Sequence, residues 1–313
     1  MLEQITRNKR RTVLYLGVFV LTWLGIGATI GALFAVTGTS TTNDSGASGD
    51  VVIGLAVAAL AATAGILFTL HSGSRLVLAV AGATLADRRT YPQLYHLVEA
   101  LALGDGLPTP AIYVVDDPSP NAFATGTDPA HAAVTVTTGL LAVMNREELE
   151  GVLAHEMSHI KNYDTRLLLV VTTLIGMAGL IAGLIWRSAF LMRSRGRDGA
   201  QLVLLVLAAG ALLSVVGFVV GPIIRLALSR RRESLADASA VDLCRNPAGL
   251  LGALRKLQTN DVPLVRVNHA TAAMCIDDPL QHHEGAMHRL FDTHPPIAER
   301  IAALEHMQQG LTV

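Results

Sequence analysis

The pentapeptide His155-Glu156-Met157-Ser158-His159 sets two imidazoles four residues apart inside an apolar stretch. In a helix, side chains at i and i+4 lie one above the other, so both rings can reach a single ion. Neutral imidazole suits zinc, and a catalytic zinc site takes three protein ligands while keeping one position open for water. Zinc lowers the pKa of that water to about 7, so a neighbouring carboxylate can take its proton as hydroxide attacks a peptide carbonyl. Glu156 is placed to be that base. The motif needs a helix, and its flanks supply one: Asn145 reads as the N-cap with Glu148 as its capping-box partner, and Leu149, Val152, Leu153, Met157 and Ile160 form a buried stripe. The competing reading is a salt-bridged helix with two unrelated histidines. The apolar surround favours the metal.

A third ligand is needed. Downstream runs Arg230-Arg231-Arg232-Glu233-Ser234-Leu235-Ala236-Asp237, where Glu233 and Asp237 share one face of a helix. Glu233 could complete a two-histidine, one-carboxylate site, and Asp237 one turn on could accept the free ring N–H of a ligating histidine. The alternative is a solvated helix on which Glu233 pairs with a nearby arginine. His269, His282, His283, His288 and His294 also compete, although the adjacent pair His282-His283 points two ways on a helix and chelates poorly. His71, His96, His131 and His306 stand alone and read as surface or packing residues. Spacing leaves the third ligand open.

The elements that must position these groups sit in a membrane-type chain. Of 313 residues, 51% are hydrophobic and 16% charged, and the mean hydropathy is +0.46. A net charge of −1 offers no electrostatic footprint for nucleic acid. Cys244 and Cys275 form no CxxC motif and read as buried thiols. About four apolar runs are long enough to be transmembrane helices: roughly 13–36 and 51–70 in an N-terminal region 1–90, then 167–186 and 202–224 as a membrane hairpin within 166–224. Arg7, Lys9, Arg10 and Arg11 precede the first run, whereas Thr37 to Asp50 carries no Lys or Arg, so the N-terminus is expected on the cytoplasmic side. Arg225 and Arg230 to Arg232 point the same way. The link holding Arg187, Arg193, Arg195 and Arg197 violates that rule if both runs of the hairpin cross.

Two segments, 91–165 and 225–313, read as the halves of a protease domain. Tyr91–Leu103 predicts an amphipathic helix stopped by Gly104 and Gly106, and Ala111–Val115 a short strand between prolines. Asn121–Thr125 and Ala132–Thr137 predict two more extended pieces, giving an α+β patch before the metal helix. A protease can hold substrate as an added strand, since the unpaired backbone groups of a sheet edge accept any sequence. Ala122–Thr125 is a candidate for that edge; a plain structural hairpin explains it equally well.

Taken together, Asn121-Ala122-Phe123-Ala124-Thr125-Gly126, His155-Glu156-Met157-Ser158-His159 with Asn162 and Asp164, Arg232-Glu233 with Ala236-Asp237, and Thr293-His294-Pro295-Pro296 with Arg300 resemble the HtpX-type membrane zinc metalloproteases. The CAAX prenyl endopeptidases are more distant relatives. The resemblance covers most of the chain in order and departs at no metal position. It implies a mainly α membrane protein with a cytoplasmic, zincin-like (gluzincin) domain carrying a small β-sheet. It further implies one zinc per chain on His155, His159 and Glu233, with Glu156 as general base, Asp237 behind a ligand, and Asn121, Ala122, Phe123 and Ala124 on the substrate-side strand. His294 and Arg300 fall near the active site as candidate oxyanion or substrate contacts; for His294 the alternative is a helix start with Pro296 in the first turn. The implied activity is cleavage of misfolded or damaged membrane proteins, a stress-response role, in the plasma membrane of a prokaryote. Two other readings are a CAAX-type prenyl-peptide protease, for which four runs enclose little volume, and a non-catalytic zinc-binding scaffold or carrier. A carrier needs ionisable groups within its membrane runs, and these runs are nearly free of them.

Overall fold

The computed structural model describes residues 2–36, 46–192, 207, 210–211, 230–259 and 296–311. It divides into two compact units, one of Met1–Arg10, Ser72–Leu169 and Arg225–Val313, the other of Arg11–His71 and Val170–Ile224. The helices are α1 (Leu2–Val36), α2 (Gly46–Val80), α3 (Pro92–Asp105), α4 (Thr138–Val143), α5 (Arg146–Lys161), α6 (Asp164–Met192), α7 (Arg230–Cys244), α8 (Pro247–Gln258) and α9 (Ile297–Leu311), and the strands β1 (Thr84–Leu85), β2 (Ala111–Val115), β3 (Ala122–Gly126) and β4 (Ala132–Thr137).

In the first unit the strands form a mixed sheet in the order β1-β2-β4-β3. β2 runs parallel to β4, pairing Ile112 with Val134 and Val114 with Val136, and β3 lies antiparallel to β4 at the sheet edge, pairing Ala122 with Val136. The β-branched residues of β2 and β4 suit a pleated, covered surface. β1 was not foreseen: two residues pairing with Tyr113 and Val114 carry no alternation to detect. The other strands and α3 fall within two residues of the expected bounds. For α3 the punctuation explains it, with Pro92 in the first turn and Gly106 at φ +67° closing the helix.

The core of this unit is built by Leu94, Leu97, Val98 and Leu101 of α3, Ile112 and Val114 of β2, Val134 and Val136 of β4, and the stripe Leu149, Val152, Leu153, Met157 and Ile160 of α5. Leu250, Leu251, Leu254 and Leu257 of α8 join it. Helix α5 crosses α8 very closely, because a Cβ on Gly151 would come to 2.4 Å from the Leu250 nitrogen and one on Gly249 to 2.3 Å from the Glu147 carbonyl oxygen. At its start, Asn145 Oδ1 accepts from the Glu148 N–H at 2.9 Å and Glu148 Oε2 from the Asn145 N–H at 2.8 Å, a complete capping box. Such a cap contributes about 1 kcal/mol and fixes where the helix begins, hence which residues face the core.

In the second unit Phe19 of α1, Ala62 of α2 and Val170 of α6 pack together. A Cβ on Gly27 would meet the Gly54 carbonyl oxygen at 2.3 Å, so α1 and α2 touch backbone to backbone. Two helices among the described residues are long and apolar enough to cross a membrane, Ile5–Ala32 and Ser48–Val80. At 1.5 Å per residue the 28 residues of the first reach about 42 Å, more than the ~30 Å of hydrocarbon. Both helices outrun the apolar windows at 13–36 and 51–70, because hydropathy marks where a helix can meet lipid and not where it ends. The run at 167–186 lies in α6, and nearly all of 202–224 lies outside the described residues.

Candidate metal centre

Helix α5 carries His155 and His159 on its buried face, and α7, packed beside it, brings Glu233. The three residues are at most 7% exposed. His155 Nε2 lies 3.2 Å from His159 Nε2, and Glu233 Oε2 lies 3.5 Å from the first and 3.7 Å from the second. A tetrahedral ion with bonds of about 2.0–2.1 Å requires donors roughly 3.3 Å apart. This triangle therefore fits zinc, and among the described residues no other group of three such side chains converges in this way.

Each histidine is backed by a different aspartate. His155 Nδ1 is 2.9 Å from Asp237 Oδ1, and His159 Nδ1 is 3.0 Å from Asp164 Oδ2. A carboxylate behind Nδ1 accepts a hydrogen bond from the ring N–H there and leaves Nε2 as the electron-pair donor, an arrangement complete at His159, whereas at His155 the aspartate sits at ion-pair distance without a well-aligned bond. Arg300 of α9 clamps Asp237 with two bonds, Nε to Oδ2 at 2.9 Å and Nη2 to Oδ1 at 2.7 Å. Arg232 stands between the two acidic groups, Nη2 3.9 Å from Glu233 Oε1 and Nε 3.9 Å from Asp164 Oδ1.

The electrostatics follow. Burial pushes the Asp237 carboxyl up, but Arg300 and His155 outweigh it and hold the group at about 2. Burial pushes both histidines down, yet without a metal each is raised: His155 by Asp237 and Glu233, His159 by Glu233 and Asp164 to about 10. The pocket is thus strongly acidic.

Glu156 is 2% exposed beside His155, and its charge is felt at Arg300. Ala122, Phe123 and Ala124 lie in β3, which packs against α5, and these residues with Asn121 are buried. Arg300, expected among the substrate contacts, is 2% exposed and engaged with Asp237. His294, His269, His282, His283 and His288 lie outside the described residues, as does Cys275. His71, His96 and His306 are exposed, and His131 pairs with Asp128 at the surface. Cys244 is half-buried, with burial pushing its thiol up to about 11. Sequence reasoning gave Asp164 no role. It stood among the residues of the family resemblance, five positions after His159, but a turn must reverse the chain before it can face that ring.

Two histidines one turn apart and a carboxylate from a second helix, all buried, form a group able to hold a metal ion, the arrangement metallopeptidases use. The profile of peptidase family M48 matches residues 88–308, and the chain belongs to that family. A "Protease HtpX homolog" of Limosilactobacillus fermentum is 41% identical over 314 residues, covering 97% of this chain and 99% of that protein. Another, of Limosilactobacillus reuteri, is 43% identical over 313 residues with the same coverage. Among solved structures, S. mikatae Ste24p superposes with a TM-score of 0.46 at 19% identity, covering 96% of this chain and 66% of that one.

Proposed function

We propose that this chain is a membrane-integrated zinc endopeptidase that cleaves misfolded or damaged membrane proteins, with its protease unit facing the cytoplasm from the plasma membrane of a prokaryote. The observation that carries the reading is the His155–His159–Glu233 triangle, with sides of 3.2 to 3.7 Å. Zinc held there would supply Lewis acidity, polarising the scissile carbonyl and making water a nucleophile at neutral pH. Glu156 takes the proton of the attacking water on its carboxylate and passes it to the departing amine. Asp237 and Asp164 keep both rings in the tautomer that points Nε2 inward. The edge position of β3, packed beside α5, suits it to pair with substrate backbone, a contact indifferent to sequence and so fitted to unfolded chains. The lipid bilayer and polypeptide substrates are the partners this reading requires.

The test is zinc content and casein cleavage on the full chain purified in detergent. Wild type should hold about one zinc, Glu233→Ala should lose it, and Glu156→Gln should keep it while losing cleavage. Proteolysis retained by Glu156→Gln sinks the base assignment, and zinc retained by Glu233→Ala moves the third ligand elsewhere.

A further inference from the structure

Between α5 and α6 the chain turns within two residues. Tyr163 takes a left-handed conformation, φ +59°, which a residue with a Cβ adopts at a cost of about 1–2 kcal/mol. The turn is what allows Asp164, the first residue of α6, to face back onto His159. All three residues of the turn are gripped by one adjacent pair near the chain start. Asn8 Nδ2 donates to the Asn162 carbonyl at 2.8 Å and to Asp164 Oδ1 at 2.7 Å, while the Lys9 ammonium sits 4.3 Å over the Tyr163 ring.

We propose that Asn8 is a positioning residue for the metal ligand His159, acting through Asp164. An asparagine amide carries two hydrogens, and here both have acceptors: a carbonyl, which fixes the turn, and a carboxylate, which fixes the aspartate. With both acceptors on one side, the nitrogen end of the amide must point there. Asp164 then has one oxygen for Asn8 and one for His159, and the ring cannot swing without giving up a bond. Asn8 is 1% exposed, Asp164 1% and Asn162 4%, so water is no substitute donor. A leucine of similar shape would satisfy packing and leave both acceptors bare. Asn8 lies among basic residues that read as a membrane-flanking charge cluster, so its sequence neighbourhood gives no sign of this role.

The inference rests on His159 being a zinc ligand, and the experiment separates the two. Zinc affinity is measured by chelator competition on the full chain in detergent, with the cobalt(II) absorption spectrum as a second readout. His159→Ala should lose the metal; if it does not, the proposed function itself fails. Given that loss, Asn8→Ala should weaken zinc binding about tenfold, the low end of what loss of a ligand's supporting partner costs, and alter the cobalt bands. In an Asp164→Ala background Asn8→Ala should add nothing further, because its effect runs through that carboxylate. Asn8→Ser, which keeps one donor, should fall between wild type and Asn8→Ala and serves if the alanine variant does not fold. Wild-type zinc affinity in Asn8→Ala or Asn8→Ser, or an undiminished effect in the Asp164→Ala background, overturns the assignment.

Discussion

His155 and His159 stand one turn apart on the same helix, yet they are held by opposite ends of the chain in chemically different ways. Behind His155, Asp237 is clamped by the Arg300 guanidinium with two charge-assisted bonds. Behind His159, Asp164 is held by the neutral Asn8 amide with one, and Arg232 reaches it only at 3.9 Å. The guanidinium–carboxylate contact carries charge on both partners and is bidentate, which adds attraction and fixes direction, whereas the amide–carboxylate bond carries charge on its acceptor alone. One side of the site is therefore anchored electrostatically and the other mainly by geometry. An acidic pocket needs both: a full complement of guanidinium charge would repel the metal, and none would leave the buried carboxylates uncompensated.

The largest effect should come from breaking the stronger anchor. Arg300→Ala leaves Asp237 buried without its cation, and removing one partner of such a pair costs about 3–5 kcal/mol. Thermal unfolding of the metal-free chain should show that loss. An Arg300→Ala variant as stable as wild type would erase the difference between the two sides.

Next comes proton competition. In the metal-free protein His159 is held near 10 by Glu233 and Asp164 against its own burial, so zinc binding near pH 7.5 must expel on the order of one proton from it. Apparent zinc affinity should therefore rise with pH, up to about tenfold per unit for each proton displaced, and level off toward pH 10. Calorimetry in buffers of different ionisation enthalpy counts the protons. Stability runs the other way: the folded value lies above the unfolded 6.5, so His159 stabilises the metal-free fold fully below pH 6.5 and that contribution is lost as pH rises through about 10. Metal-free protein that gains stability between pH 7 and 10 would contradict this.

The smallest effect belongs to an ion pair outside the site. Arg88 and Glu99 make two bonds of 2.7 and 2.8 Å, but their side chains are 59% and 35% exposed. Water screens them, and Arg88→Ala should change stability by less than about 1 kcal/mol. A larger loss would mean that geometry, and not burial, sets the strength of charged contacts in this protein, which would undercut the contrast drawn between Arg300 and Asn8.

Sequence alone determined whatever repeats at short range. The i, i+4 histidines, the Asn145 and Glu148 cap, the strands Ala111–Val115 and Ala132–Thr137 and the apolar windows of α1 and α2 follow from helix and strand periods and from hydropathy. Glu233 and Asp237 were recognisable as candidates, because their spacing puts them on one helical face, but spacing could not choose Glu233 over the distant histidines. Tertiary structure decided the partners. It laid α7 beside α5 so that Glu233 reaches both imidazoles, turned Arg300 onto Asp237, and folded Asn8 onto a carboxylate 156 residues away. The reason is physical: a backbone period links residues a few positions apart, whereas a buried charge is satisfied by whichever donor the packing delivers, and that donor carries no signature in its own neighbourhood.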